Sequence, residues 1–178
     1  IGWRCLAVNV SDIAAMGGSP LGAVIALSVP AALEVAFIEG LYDGLQELAT
    51  AYNCPIIGGN VSKASEHLSV TITVLGEVPG GESAYRAGAQ VGDDIWVTGD
   101  LGGAKAGLEV LLHPDVVPLS QAASVLARYR RPRPRLREAQ YLRQHGLLHS
   151  LIDLSDGLSS DLAHMCTASG VGAELEAD

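Results

Sequence analysis

The chain has 178 residues, 48% of them hydrophobic and only 4% aromatic, so aliphatic side chains must fill one ordinary core or two small ones. A formal net charge of −9 argues against non-specific binding to nucleic acid or anionic membranes, although anionic substrates remain possible where metal cations stand between them and the carboxylates. Cys5, Cys54 and Cys166 are odd in number and widely spaced, and neither a long apolar run nor a signal peptide is visible, which points to a reducing, cytoplasmic setting rather than a disulfide framework, zinc site or membrane span.

Trp3 to Met16 reads as a helix of small residues, closed by Gly17-Gly18 and Pro20. Ala23 to Val29 suits a buried strand. Leu33, Phe37, Leu41, Leu45 and Leu48 recur at helical spacing, which predicts an amphipathic helix from Ala31 to Tyr52. Pro55-Ile56-Ile57 predicts a strand running into a Gly58-Gly59 loop. Leu68 to Val78 alternates with β-branched residues and is the most strand-like stretch. Pro79-Gly80-Gly81 then breaks the pattern, and a domain boundary is expected there, dividing residues 1–82 from 83–178.

Beyond it, Asp94 to Thr98 predicts a strand, and Gly99 to Gly103 a loop opening a helix through Leu112. Helices are expected over Leu119 to Tyr129, Leu136 to His145 and Gly157 to Ser169, with short strands at Leu151-Ile152 and Gly172 to Leu175. The fold class is α/β (α+β). The first residue falls inside a helical pattern, so the chain is expected to be an internal fragment.

The strongest chemical signal is Ile152-Asp153-Leu154-Ser155-Asp156-Gly157-Leu158. A strand here would deliver two carboxylates and a hydroxyl to the mouth of a helix, with Asp153 and Ser155 on one face. Magnesium takes hard oxygen ligands and keeps several waters, so two carboxylates plus nucleotide phosphates suffice to hold it. Capping of the helix by Ser155 or Asp156 accounts for the same residues. A calcium loop does not, because an EF-hand needs Gly and Glu where this chain has Leu158 and His164.

Asp12 lies among small and apolar residues, where a carboxylate is costly unless it is exposed or bound to something. Gly58-Gly59-Asn60 after a strand would let backbone N–H groups approach a phosphate, and equally would make a tight turn. Gly99 to Gly107 lacks the Ser or Thr of a Walker A loop after Lys105. His145 and His149, and the Arg131 to Arg135 stretch, read as surface residues.

The order AVNVSDIAAMGGSP, IIGGN, RAGAQVGDDIWVTGDLGGAKAGL and IDLSDGLSSDLAHM resembles the thiamine-monophosphate kinase family, within the aminoimidazole-ribonucleotide-synthetase-like superfamily. The resemblance spans nearly the whole chain. It implies a two-domain aminoimidazole ribonucleotide synthetase-like architecture, truncated at both ends, a homodimer joined through strands of the first domain, and ATP bound between domains with magnesium ions. The substrates implied are thiamine monophosphate and ATP. Asp12, Asp153 and Asp156 become metal ligands, with Asp153 and Asp156 at the centre of the chemistry. Ser155 and Arg86 fall near phosphates, and Gly58, Gly59 and Asn60 line a nucleotide loop.

The family often has Asp at the position of Asn60, which leaves the number of metals open. It also has a glycine-aspartate-aspartate segment before this stretch and a glycine-glycine-glutamate-aspartate segment after it, so this stretch alone is expected to have little activity. Other superfamily ATP-using enzymes, of the aminoimidazole ribonucleotide synthetase or hydrogenase-maturation type, and a non-catalytic nucleotide-binding dimerisation scaffold are the alternatives.

Overall fold

A computed structural model describes residues 1–115 and 122–176. Helix α1 (Gly2–Ala15) ends where the sequence indicates: Gly17 takes a left-handed φ of 67°, and the Gly18 N–H reaches back to Ile13 O at 3.0 Å. Strand β1 (Ser19–Pro30) follows. Helix α2 (Val35–Ala51) starts four residues later than the periodicity predicts, because Leu33 donates its N–H to Pro30 O in a turn and Glu34 is extended. Its end is set by Asn53, the one non-glycine residue with positive φ among those described, and by Cys54 N–H bonding Ala49 O.

Strands β2 (Ile56–Ala64) and β3 (Ser69–Glu77) complete a three-stranded sheet of order β2-β1-β3, with β1 parallel to β2 and antiparallel to β3. The predicted Gly58-Gly59 loop is corrected here: both glycines lie inside β2, beside Val24 and Ile25 of β1. Alternation along β1 buries Ala23, Ile25 and Leu27 against the helices and leaves Val24 and Ala26 exposed, so only one face of this strand is covered.

The main core joins Leu6, Val10 and Ala14 of α1 to Leu41, Leu45 and Leu48 of α2 and to the buried face of β1. These recur at three- and four-residue intervals, which is the stripe that drives each helix onto the sheet. Phe37, predicted on the same stripe, lies at its exposed end.

Past a short 3₁₀ turn (Pro79–Gly81), the chain carries helices α3 (Gly103–Leu112), α4 (Ala123–Arg130), α5 (Leu136–Gln144) and α6 (Leu158–Ser169). Residues 119–121 of the predicted fourth helix lie outside the described residues. The strands expected at Asp94–Thr98, Leu151-Ile152 and Gly172–Leu175 are not formed: the segments are irregular, and a strand exists only where a neighbour completes its hydrogen-bond ladder.

Packing crosses the expected boundary. Helix α5 places Leu136 and Ala139 in the first core. Gln140 donates to Gly18 O and Ser19 Oγ, and Arg143 to Gly17 O and Pro79 O, at 2.8–3.2 Å. Trp3 Nε1–H donates to Pro132 O at 2.8 Å, while the Arg131 guanidinium lies over the Trp3 ring and pairs with Glu47. Arg131 and Pro132, at the start of the Arg-Pro-Arg-Pro-Arg stretch, therefore help to hold the two segments together. A smaller core of Val110, Ala122 and Leu126 sits between α3 and α4.

Candidate functional site

The segment before α6 runs back against α1. Ser11 Oγ–H donates to Asp153 Oδ2 at 3.0 Å, joining residues 142 positions apart. Asp12 follows Ser11, and its carboxyl is held above the usual carboxylate range, first by partial loss of hydration and then by the negative charge of Asp153. Asp12 remains open to solvent on one side, so the desolvation is incomplete. Two carboxylates from distant parts of the sequence are thus brought close enough for the charge of one to act on the other.

Such a pair suits a hard divalent cation, with waters and phosphate oxygens completing its shell. No group of three or more His, Cys, Asp or Glu side chains among the described residues is placed to hold a metal. The fit therefore rests on Asp12 and Asp153, and the structure does not gather Asp156 into one three-carboxylate cluster with them.

The charge has a cost in stability. Because Asp12 gives up its proton at higher pH in the folded chain than in the unfolded one, ionisation increasingly opposes folding as the pH rises from the unfolded value through the folded one. Asp12→Asn is expected to raise the melting temperature at pH 7 in EDTA, with the gain shrinking as the pH falls toward about 4. The same substitution should weaken Mn²⁺ binding. Thermal melts over that pH range check it, and a lower melting temperature at pH 7 contradicts it.

Ser155 and Asp156 are exposed on the turn before α6, and neither caps the helix. The cap residue is Gly157, at φ 111° and ψ 158°, a conformation that essentially only glycine adopts. The turn is held instead by Asp161, whose Oδ2 accepts the N–H groups of Ser155, Asp156 and Gly157 at 3.0, 3.2 and 3.1 Å.

Arg86 is exposed on a loop pinned from three directions. Ser169 Oγ accepts from Gly88 N and Ala89 N, both at 3.1 Å, and donates to Arg86 O at 3.4 Å. Tyr85 O accepts from Leu151 N at 2.9 Å, which lays the loop beside the segment leading to Asp153. Asp93 accepts from Gln90 N at 2.8 Å and pairs with His149, and these contacts, the backbone one first, hold its carboxyl below the usual range.

Gly58, Gly59 and Asn60 lie elsewhere. With Tyr42, Ile56, Ile57 and Val61 they line an open depression of about 500 Å³ on the β2 edge. Asn60 sits beside Ala26, on the sheet face away from the helices. Among the described residues, no hydrogen bond or ion pair links it to Asp12 or Asp153. The sequence-predicted residues thus form two groups: Asp12 with Asp153, flanked by the turns of Ser155-Asp156 and Arg86, and the β2 glycines with Asn60.

Three residues of the first group escaped the sequence reading: Ser11, Asp161 and Ser169. The signal for Asp161 was present, an acid in the first turn of α6 following a glycine. Ser169 offers no such signal, because its partners lie 80 residues and more away.

The chain matches "AIR synthase related protein, N-terminal domain" over residues 1–78 and "AIR synthase related protein, C-terminal domain" over residues 90–178. It is 41% identical over 177 residues to the thiamine-monophosphate kinase of Escherichia coli (strain K12), covering 99% of this chain and 53% of that protein. The thiamine-monophosphate kinase of Aquifex aeolicus (strain VF5) is 35% identical over 175 residues, covering 98% of this chain and 56% of that protein.

The crystal structure of the Aquifex aeolicus protein superposes with a TM-score of 0.87 over 96% of this chain and 56% of that one. A second structure, "AaThiL complexed with AMPPCP and TMP", gives 0.86 at 35% identity over 95% of this chain and 53% of that one. The chain spans about half the length of the curated relatives it matches. On these matches it belongs to the AIR synthase related family, and within that family it aligns with the thiamine-monophosphate kinases.

Proposed function

We propose that the full-length protein containing this chain transfers the γ-phosphoryl group of ATP to thiamine monophosphate, giving thiamine diphosphate and ADP. The observation that carries the proposal is the Ser11–Asp153 hydrogen bond, which brings Asp153 beside α1 close enough for its charge to act on Asp12. The similarity to thiamine-monophosphate kinases supplies the substrates, one solved relative being described as complexed with AMPPCP and TMP.

The acceptor phosphate is already an anionic nucleophile at neutral pH, so the reaction needs no strong general base. The obstacle is repulsion: two unit charges about 5 Å apart repel by roughly 3 kcal/mol at an effective dielectric near 20. Asp12 and Asp153 are the residues that would hold magnesium, which when bound neutralises phosphate charge and orders the reactants. Asp156 and Ser155 present further oxygens from the adjoining turn, and Arg86 offers a cation from the pinned loop. Gly58, Gly59 and Asn60 have only the β2 depression in favour of a nucleotide role.

The proposal extends to a homodimer through the first segment, residues 1–82. Among the described residues, no helix covers the sheet face carrying Val24, Ala26, Thr71, Thr73 and Leu75, and edge strand β2 exposes Ile57 and Val61. A cytoplasmic location suits the three free cysteines. Among the described residues, no helix is long and apolar enough to cross a membrane.

The test supplies the full-length protein with ATP, Mg²⁺ and, separately, thiamine monophosphate, thiamine or no acceptor. ADP formation that requires both thiamine monophosphate and Mg²⁺ is the expected result. Equal ADP release without acceptor would redirect the search to another acceptor, and no ADP under any condition would favour a binding scaffold.

A further inference from the structure

Asp161 is the only charged residue among those classed as buried in the described residues, at 3% exposure, and one of its oxygens collects three consecutive backbone N–H groups. Three such donors at a helix mouth ordinarily form a nest for an external anion. Here the nest is filled from within, so these three N–H groups are not open to a phosphate. What it presents outward instead is the pair of exposed side chains of Ser155 and Asp156, with Asp153 two residues before them. The carboxylate also holds Gly157 in its glycine-only conformation, which would otherwise relax.

We infer that Asp161 is a positioning residue: by filling the turn over Ser155 to Gly157 it fixes the backbone that carries Asp156, and so the presentation of the Asp156 carboxylate to a divalent cation. The inference rests on the phosphoryl-transfer reading for the cation's purpose, but its own content is metal affinity. Asparagine keeps one acceptor oxygen and loses the charge that three N–H dipoles point at, so the turn loosens while side-chain volume is retained. Outer partners of this kind change metal affinity or activity by roughly 10- to 100-fold when lost.

The experiment titrates Mn²⁺ into full-length wild type and the Asp161→Asn and Asp161→Glu variants, reading free Mn²⁺ by electron paramagnetic resonance beside circular dichroism. Folded Asp161→Asn should bind Mn²⁺ about 10- to 100-fold more weakly, with kcat partly restored by excess Mg²⁺ and KM for thiamine monophosphate little changed. Asp161→Glu, which keeps the charge but displaces the oxygen, should fall between; it carries the test alone if the asparagine variant does not fold. In an Asp156→Asn background the Asp161→Asn effect should largely vanish, because it acts through the Asp156 carboxylate.

Wild-type affinity in either folded variant overturns the inference, as does a wild type that binds no Mn²⁺. A wild type that binds Mn²⁺ and makes no thiamine diphosphate, with weakened binding in the variants, overturns the kinase reading and leaves Asp161's role standing.

Discussion

Asp153→Asn should lower thiamine diphosphate formation by about 10²–10³-fold or more in the full-length protein without unfolding it. The substitution removes one charge and almost no volume. The amide oxygen can still accept the Ser11 hydroxyl, so the contact between α1 and the segment before α6 is preserved. What disappears is one of the two neighbouring negative charges, and with it part of the field that would draw a divalent cation to this place.

The same change relieves Asp12 of its nearest negative neighbour, so the metal-free variant should melt no lower than wild type at pH 7. Loss of turnover with unchanged or improved melting is the signature of a site that gives up stability for charge. Steady-state kinetics with saturating Mg²⁺ and a parallel melt in EDTA measure both sides. Activity within tenfold of wild type would remove Asp153 from the chemistry.

The second large effect concerns folding. Gly59→Ala should destabilise the protein by about 3 kcal/mol, at the upper end for overpacking, because a Cβ at Gly59 runs into the backbone carbonyl of Ile25. Ile25 is 1% exposed in the middle of the central strand, so neither atom can withdraw without breaking the β1–β2 register. Its neighbour is the control: nothing lies within 4 Å of a Cβ at Gly58, and Gly58→Ala should change stability by less than about 1 kcal/mol. Urea unfolding of the two variants separates the outcomes. Equal stability for both would mean that the strand is looser than its register indicates. A higher KM for ATP in Gly58→Ala alone would assign the β2 depression to the nucleotide.

How much of this was legible in the sequence depended on whether the signal was local. Helices α1, α2, α3, α5 and α6 and strands β1 and β3 follow from periodicity and from glycine or asparagine at their ends, all properties of neighbouring residues. The Gly-Gly pair misled because glycine in a turn and glycine where two strands approach too closely for a Cβ look alike until the partner strand is known. Asp94–Thr98 has strand composition, but a ladder also requires a neighbour, and composition does not supply one.

Within the site, the order of motifs pointed to Asp12 and Asp153, whereas their approach depends on how the segment before α6 lies against α1. Ser11 looked like an ordinary helix residue, and only the packed structure gives it a partner 142 positions away. Asp156 is on the exposed turn that Asp161 holds, and it was the residue types at Asp153 and Asp156, not that turn, that the sequence made legible.

The measurement that bears most directly on the central claim follows the phosphoryl group itself. The full-length protein is given ATP carrying ¹⁸O at the three non-bridging γ oxygens, with Mg²⁺ and thiamine monophosphate, and the products are weighed by mass spectrometry. Intact transfer predicts thiamine diphosphate bearing all three heavy oxygens, in amounts equal to ADP and with no matching labelled inorganic phosphate. Labelled inorganic phosphate accumulating with ADP, beside unlabelled and unchanged thiamine monophosphate, would contradict it.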